Sequence, residues 1–110
     1  MIFYTKLVGV TFSNENSGEN RQYIIRSLYR HGELDEGAEL TMKMDPENKF
    51  DDHAVAVFAP DGRQIGHLPK QQAYQIFENM KRGVKYRMYV SCVTGGEACN
   101  AYGVNVKIEY

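Results

Sequence analysis

The chain has 110 residues, 43% hydrophobic and 25% charged, with a formal net charge of -1. That is the length of a single domain, residues 1–110, and the composition of an ordinary folded soluble protein; disordered, collagen-like and membrane classes are excluded. Near-neutral charge also excludes a broad basic coat for nucleic acid, so any such site has to be local, with few phosphate contacts.

Residues 2–12 are rich in β-branched and aromatic side chains, with Gly9 where a strand would bulge or bend, and predict a first strand. Their alternation matches neither an export signal nor a bilayer span, so the expected location is cytoplasmic. Residues 13–19 are polar and read as loop. Residues 20–31 place Ile24, Ile25, Leu28 and Tyr29 at helical spacing, with Arg21, Arg26 and Arg30 read as lying off that stripe and Gly32 ending the run. Such charges on an amphipathic helix ordinarily face water.

Residues 39–44 alternate Leu40, Met42 and Met44 with Glu39, Thr41 and Lys43, the period of a half-buried strand. In residues 53–60, Ala54 to Phe58 form an unbroken apolar run, expected to be a central strand covered on both faces. Asp61-Gly62 predicts a tight primed turn into an antiparallel partner over residues 63–68. Pro69 suits the first turn of a second helix with its stripe at Ala73, Ile76, Phe77 and Met80, ending before Gly83. Residues 84–92 and 104–108 alternate as two more strands, joined around Gly95-Gly96. The sum is a mainly β fold, a small bent sheet or OB-like barrel of about six strands with two short helices, an arrangement that hides strand edges.

Chemistry concentrates in residues 45–53, where Asp45, Glu47, Asn48, Phe50, Asp51, Asp52 and His53 share one loop on a rigid hairpin frame. With His67 these acids could ligate a divalent cation, but their spacing matches no calcium loop or histidine metal motif. Turn formation accounts for them: Asp45-Pro46 starts a turn, and Asp51 or Asp52 bonds backbone N–H groups. No metal, cofactor or catalytic residue is expected. Cys92 falls on the apolar phase of its strand and reads as core, and Cys92 and Cys99 read as reduced thiols. Gly95-Gly96 reads as a hairpin rather than a phosphate cradle. Phe12 and Phe50 stand at strand–loop junctions, where an aromatic face can stack a nucleobase, although periodicity alone favours core for both.

Four segments taken in order carry a resemblance: Val8-Gly9-Val10-Thr11-Phe12; the run from Asp45 through Asn48, Phe50, Asp51 and His53 to Val57; Gly62 through Gly66 and His67 to Pro69; and Val93-Thr94-Gly95-Gly96 with Tyr102-Gly103-Val104. Together they resemble the HIRAN domain family, in its free-standing bacterial form, over nearly the whole chain. The resemblance implies an OB-like barrel and a non-catalytic module that binds the 3′-hydroxyl end of single-stranded DNA, in DNA repair or replication-fork processing. Carried over, Phe12 stacks a terminal base, Phe50 lines the pocket in place of a tyrosine, and Asp51 accepts a hydrogen bond from the terminal hydroxyl. Asn48, His67 and Lys70 fall where the family contacts the last nucleotides and their phosphates. Thr11 stands where DNA-binding members can carry an arginine, and Thr94 about where another stacking aromatic would be; losing that charge and ring weakens binding by several kcal/mol unless another group replaces them. The implied partners are single-stranded DNA or DNA 3′ ends, with a helicase or nuclease as candidate protein partner. The alternatives are a protein-interaction or regulatory domain that has lost the DNA-end pocket and, third, an accessory to a metal-dependent nuclease.

Overall fold

In a computed structural model, residues 1–98 and 100–110 are described; Cys99, and with it any pairing with Cys92, lies outside the described residues. The elements run β1 (Ile2–Lys6), α1 (Arg21–Arg30), β2 (Glu39–Asp45), β3 (Ala54–Phe58), β4 (Gln64–His67), α2 (Lys70–Lys81), β5 (Arg87–Thr94) and β6 (Gly103–Glu109). All strand pairs are antiparallel, in the order β1-β6-β5-β2-β3-β4.

The sheet curls far enough to meet itself. β2 is shared along its length, with Glu39 and Leu40 paired to β5 and Thr41 to Asp45 paired to β3. The expected first strand stops at Lys6 because the chain then leaves one edge for the other. Leu7 N–H still donates to Val104 O at 3.0 Å, whereas Val8 N–H donates to His67 O and His67 N–H to Val8 O, both at 2.9 Å. This single bridge links the segment just after β1 to the end of β4, the strand at the opposite edge of the sheet. Gly66 permits it, since a Cβ there would lie 2.9 Å from Val8 O.

Asn20 caps α1, its side chain accepting the Gln22 N–H at 2.8 Å, which satisfies a helix-end donor that would otherwise lack a partner. α1 packs on β4 and α2 on β3. The core between them includes Ile24, Ile25, Val55, Val57, Ile65, Val104, Val106 and Ile108, all fully buried; each such side chain stabilises the fold by about 1.5–3 kcal/mol. The β3 run Ala54-Val55-Ala56-Val57 is covered on both faces as expected, although β3 lies next to the end of the strand order rather than at its centre.

Three local readings need correction. Cys92 is exposed rather than core: a bulge between Val90 and Cys92 inserts one residue, and a one-residue slip turns every later side chain to the other face. The β3–β4 turn has a three-residue loop, Pro60-Asp61-Gly62, closed by Ala59 N–H to Arg63 O at 2.8 Å, because Pro60 with its fixed φ favours a type I turn over the expected two-residue primed one. Pro69 caps α2 from outside instead of occupying its first turn.

A candidate nucleic-acid interface

One end of the barrel is walled by the segment after β1, the β2–β3 loop and the β4–α2 corner. An open pocket of about 620 Å³ lies between them, within the usual range for a small-ligand site. Phe12, Asn48, Phe50, Asp51, His67 and Lys70 all line it; Thr11 and Thr94 do not. Thr11 is exposed in the turn closed by Phe12 N–H to Gly9 O, and Thr94 sits at the far end of β5 opposite Gly103.

The β2–β3 loop is built by its own side chains. Asn48 Oδ1 accepts the Phe50 N–H at 2.9 Å, and Asn48 Nδ2 reaches Asp45 Oδ2 at 3.3 Å and His67 Nε2 at 3.4 Å. Asp51 Oδ1 accepts the His53 N–H at 2.9 Å, the turn bond expected of it, while Oδ2 bonds to no described residue. His53 ties the loop to α2: Nδ1 lies 2.8 Å from Asp52 Oδ1, Nε2 lies 3.2 Å from Glu78 Oε2, and the ring stacks on Tyr74 at 4.5 Å. The hydrogen bond to Asp52 holds the His53 pKa above its usual value against partial desolvation, with the charges of Asp52 and Glu78 adding to the shift. Among the described residues Asp51, Asp52 and His53 form the one trio close enough for a metal ion; the hydrogen bonds that Asp51 and Asp52 accept from His53 already account for its geometry.

With its bonds made this way, the loop leaves its aromatic unpacked. Phe50 is 83% exposed, and Phe12 on the opposite wall is 60% exposed. Periodicity placed both in the core; the structure puts both rings at the pocket, because each follows a strand end where alternation no longer applies.

His67 sits deeper. Its Nε2 lies 3.4 Å from the Asn48 amide nitrogen and 3.3 Å from that of Gln64, and it accepts from them when that nitrogen carries no proton. Burial, and then the positive charge of Arg21, push its pKa below the usual value, with Asp45 pulling the other way. Asp45 Oδ2 also stands 3.5 Å from Nε2, a contact that is an ion pair only when the ring is protonated.

Arg21 is where the sequence reading missed most. It is buried, with 5% of its surface exposed, and lines the pocket instead of facing water. Nε donates to Asn14 Oδ1 at 2.8 Å and Nη1 to Gly9 O at 2.9 Å. The signal was present, since Arg21, Ile24, Ile25 and Leu28, the buried residues of α1, form an i, i+3, i+4, i+7 row with Arg21 at its head. Gly9 makes the approach possible: its φ is +67°, and a Cβ would lie 3.2 Å from Nη1. Asp45, Gln64 and Lys49 also line the pocket, and across its mouth Lys49 Nζ meets Glu15 Oε1 at 3.1 Å.

Chemically, the pocket offers two exposed aromatic faces, an imidazole, the carboxylates of Glu15, Asp45, Glu47 and Asp51, the last with a free oxygen, and three cations, Arg21, Lys49 and Lys70, without a nucleophile paired to a base among the described residues. No helix among the described residues is long and apolar enough to cross a membrane.

The HIRAN domain family model matches residues 3–109. Among solved structures the chain is similar to the HIRAN domain of human HLTF, with a TM-score of 0.68 and 19% identity over 97% of this chain and 72% of that one. It is also similar to a protein from Lactobacillus plantarum, with a TM-score of 0.65 and 15% identity over 100% of both chains. Identities this low speak for the fold alone. Curated protein sequences yield no match. With the family model covering all but the terminal residues, and the same fold present in a solved HIRAN domain, this chain belongs to the HIRAN domain family.

Proposed function

We propose that this chain is a non-catalytic domain, residues 1–110, that binds single-stranded DNA by its 3′-hydroxyl end. HIRAN domains are known generally as DNA-binding modules, and membership supplies that coarser reading. The observation that supports the finer one is that Phe12, Phe50 and Asp51 line a single open pocket together with Asn48, His67 and Lys70. Two exposed rings provide stacking worth about 1–3 kcal/mol per base. A carboxylate accepts a hydrogen bond from a terminal hydroxyl and repels a terminal phosphate, so Asp51 reads the chemistry of the end. Few cations at the pocket suit a short grip on one or two nucleotides. A cytoplasmic role in DNA repair or fork processing, beside a helicase or nuclease, follows from this activity as part of the proposal.

Fluorescence anisotropy with matched oligonucleotides ending in a 3′-hydroxyl or a 3′-phosphate tests it. Preference for the hydroxyl, reduced in Asp51→Ala, is the expected result. Equal affinity for both ends, or an unchanged Asp51→Ala, overturns the reading in favour of a protein-interaction domain that has lost the pocket's DNA chemistry.

A further inference from the structure

We propose that Arg21 anchors an anionic group in the pocket, the phosphodiester that joins the terminal nucleoside to the rest of a single strand. The inference deepens the DNA-end reading and rests on it.

A buried guanidinium is costly to desolvate and ordinarily sits against a carboxylate. Arg21, 5% exposed, does not. Its two hydrogen-bond acceptors, Asn14 Oδ1 and Gly9 O, are neutral, and no carboxylate among the described residues lies within ion-pair distance. Asp45, the opposite charge that acts on it, does so at longer range, while burial lowers its pKa. Nη2 donates to no described residue and keeps some contact with solvent, and the residue lines the pocket. Nε and Nη1 are held by Asn14 and Gly9, which orients the group in advance.

Beside Arg21 the pocket is lined by Lys49 and Lys70 and by the acids Glu15, Asp45, Glu47 and Asp51, so a phosphate can be held only where a cation reaches it. Lys49 is engaged by Glu15 at the mouth, and Thr11 brings no charge and does not line the pocket. The N–H groups left on Nη2 belong to a planar cation that stays charged at any ordinary pH and so suit a phosphate oxygen. Arg21 from α1 and Asp51 from the β2–β3 loop both line the pocket, so a terminal nucleoside spanning them would present its hydroxyl to the carboxylate and its 5′-side phosphate to the guanidinium. Arg21 thus supplies from α1 the charge that the segment before Phe12 lacks.

The test uses the full chain and 3′-hydroxyl oligonucleotides carrying one uncharged methylphosphonate linkage, placed either at the last position or several nucleotides away. At the last position the substitution is expected to weaken wild-type binding by about tenfold, and at the distant one by less than about twofold. Arg21→Gln and Arg21→Lys, checked for folding by circular dichroism and thermal melting, should bind the unmodified strand more weakly, and the terminal methylphosphonate should then cost Arg21→Gln almost nothing further. A penalty equal at all positions in the wild type, or undiminished in the variants, overturns the proposal; the position scan needs no variant to fold. If hydroxyl preference persists while the terminal penalty is absent, Arg21 is excluded and the end reading stands. If the penalty is present and lost in the variants without hydroxyl preference, the end reading falls and the phosphate anchor stands. No binding to any oligonucleotide overturns both.

Discussion

Asn48 Oδ1 accepts the backbone N–H of Phe50 at 2.9 Å while its amide nitrogen faces Asp45 and His67, so one side chain both shapes the loop and joins it to β4. Asn48→Ala should cost stability of about 1 kcal/mol, the typical net value of a hydrogen bond. Binding of a 3′-hydroxyl oligonucleotide should fall further than that loss accounts for, because Phe50 is no longer held at the pocket. Urea melts beside anisotropy titrations check this, and an affinity unchanged after loss of the bond would show that the loop orders itself without it.

Phe50→Ala separates folding from binding most cleanly. At 83% exposure the ring contributes little to the core, so stability should change by no more than about 0.5 kcal/mol, whereas losing a stacking face should weaken DNA binding by about 1–3 kcal/mol. Isothermal titration calorimetry with thermal melts of both proteins measures the two effects. A large drop in melting temperature would mean that the ring packs more than its exposure indicates.

Gly9→Ala forces a side chain onto a φ of +67° and against Arg21 Nη1. Left-handed backbone costs a non-glycine residue about 1–2 kcal/mol, and the displaced guanidinium loses its bond to Gly9 O. Stability by denaturant unfolding should fall by at least that amount, with DNA affinity falling too; a wild-type-like protein would refute the tight approach.

The two histidines that touch the β2–β3 loop give opposite pH dependences. For His53 the folded pKa lies above 6.5, raised mainly by Asp52, so its stabilisation is complete below the ordinary histidine pKa and lost as pH rises through the folded one. For His67 the folded pKa lies below 6.5, lowered mainly by burial, so stability is retained above the ordinary value and lost as pH falls from it towards the folded pKa. His53→Gln should therefore flatten the alkaline side of the stability profile and His67→Gln the acid side, measured by urea unfolding between about pH 5 and 9.

Glu15→Gln frees Lys49 at the pocket mouth and removes a negative charge from the pocket rim. The pair is mostly exposed, so folding should shift by less than about 1 kcal/mol. Oligonucleotide affinity should rise a few-fold at low salt, with the gain vanishing as salt screens exposed charges. Stopped-flow association rates at two ionic strengths would show it, and a gain that ignores salt would point to a different cause.

Much of the fold was readable from local pattern. The alternation in β5 and β6, the unbroken run of β3 and the stripes of both helices each follow from side chains that must reach a core at a period set by the backbone. What periodicity misplaced lies where the ladder is interrupted: Cys92 past a bulge, and Phe12 and Phe50 beyond strand ends. In the site, Asp51 and Asn48 were legible because their turn chemistry is local. Arg21 was not, although its spacing put it in the buried row, because residue type argued for water and only the distant acceptors Asn14 Oδ1 and Gly9 O make its burial tolerable.

By itself the sequence determined the element order, the mainly β class and the residues able to carry the pocket's chemistry, since these depend on contacts within one strand, helix or turn. Tertiary structure decided that Val8 reaches His67 to close the sheet and that Phe12, Phe50 and Asp51 share an opening. It also left Arg21 buried there without an acid. Those outcomes depend on segments tens of residues apart meeting in space, and a long-range meeting is set by the packing of the whole barrel rather than by any local preference.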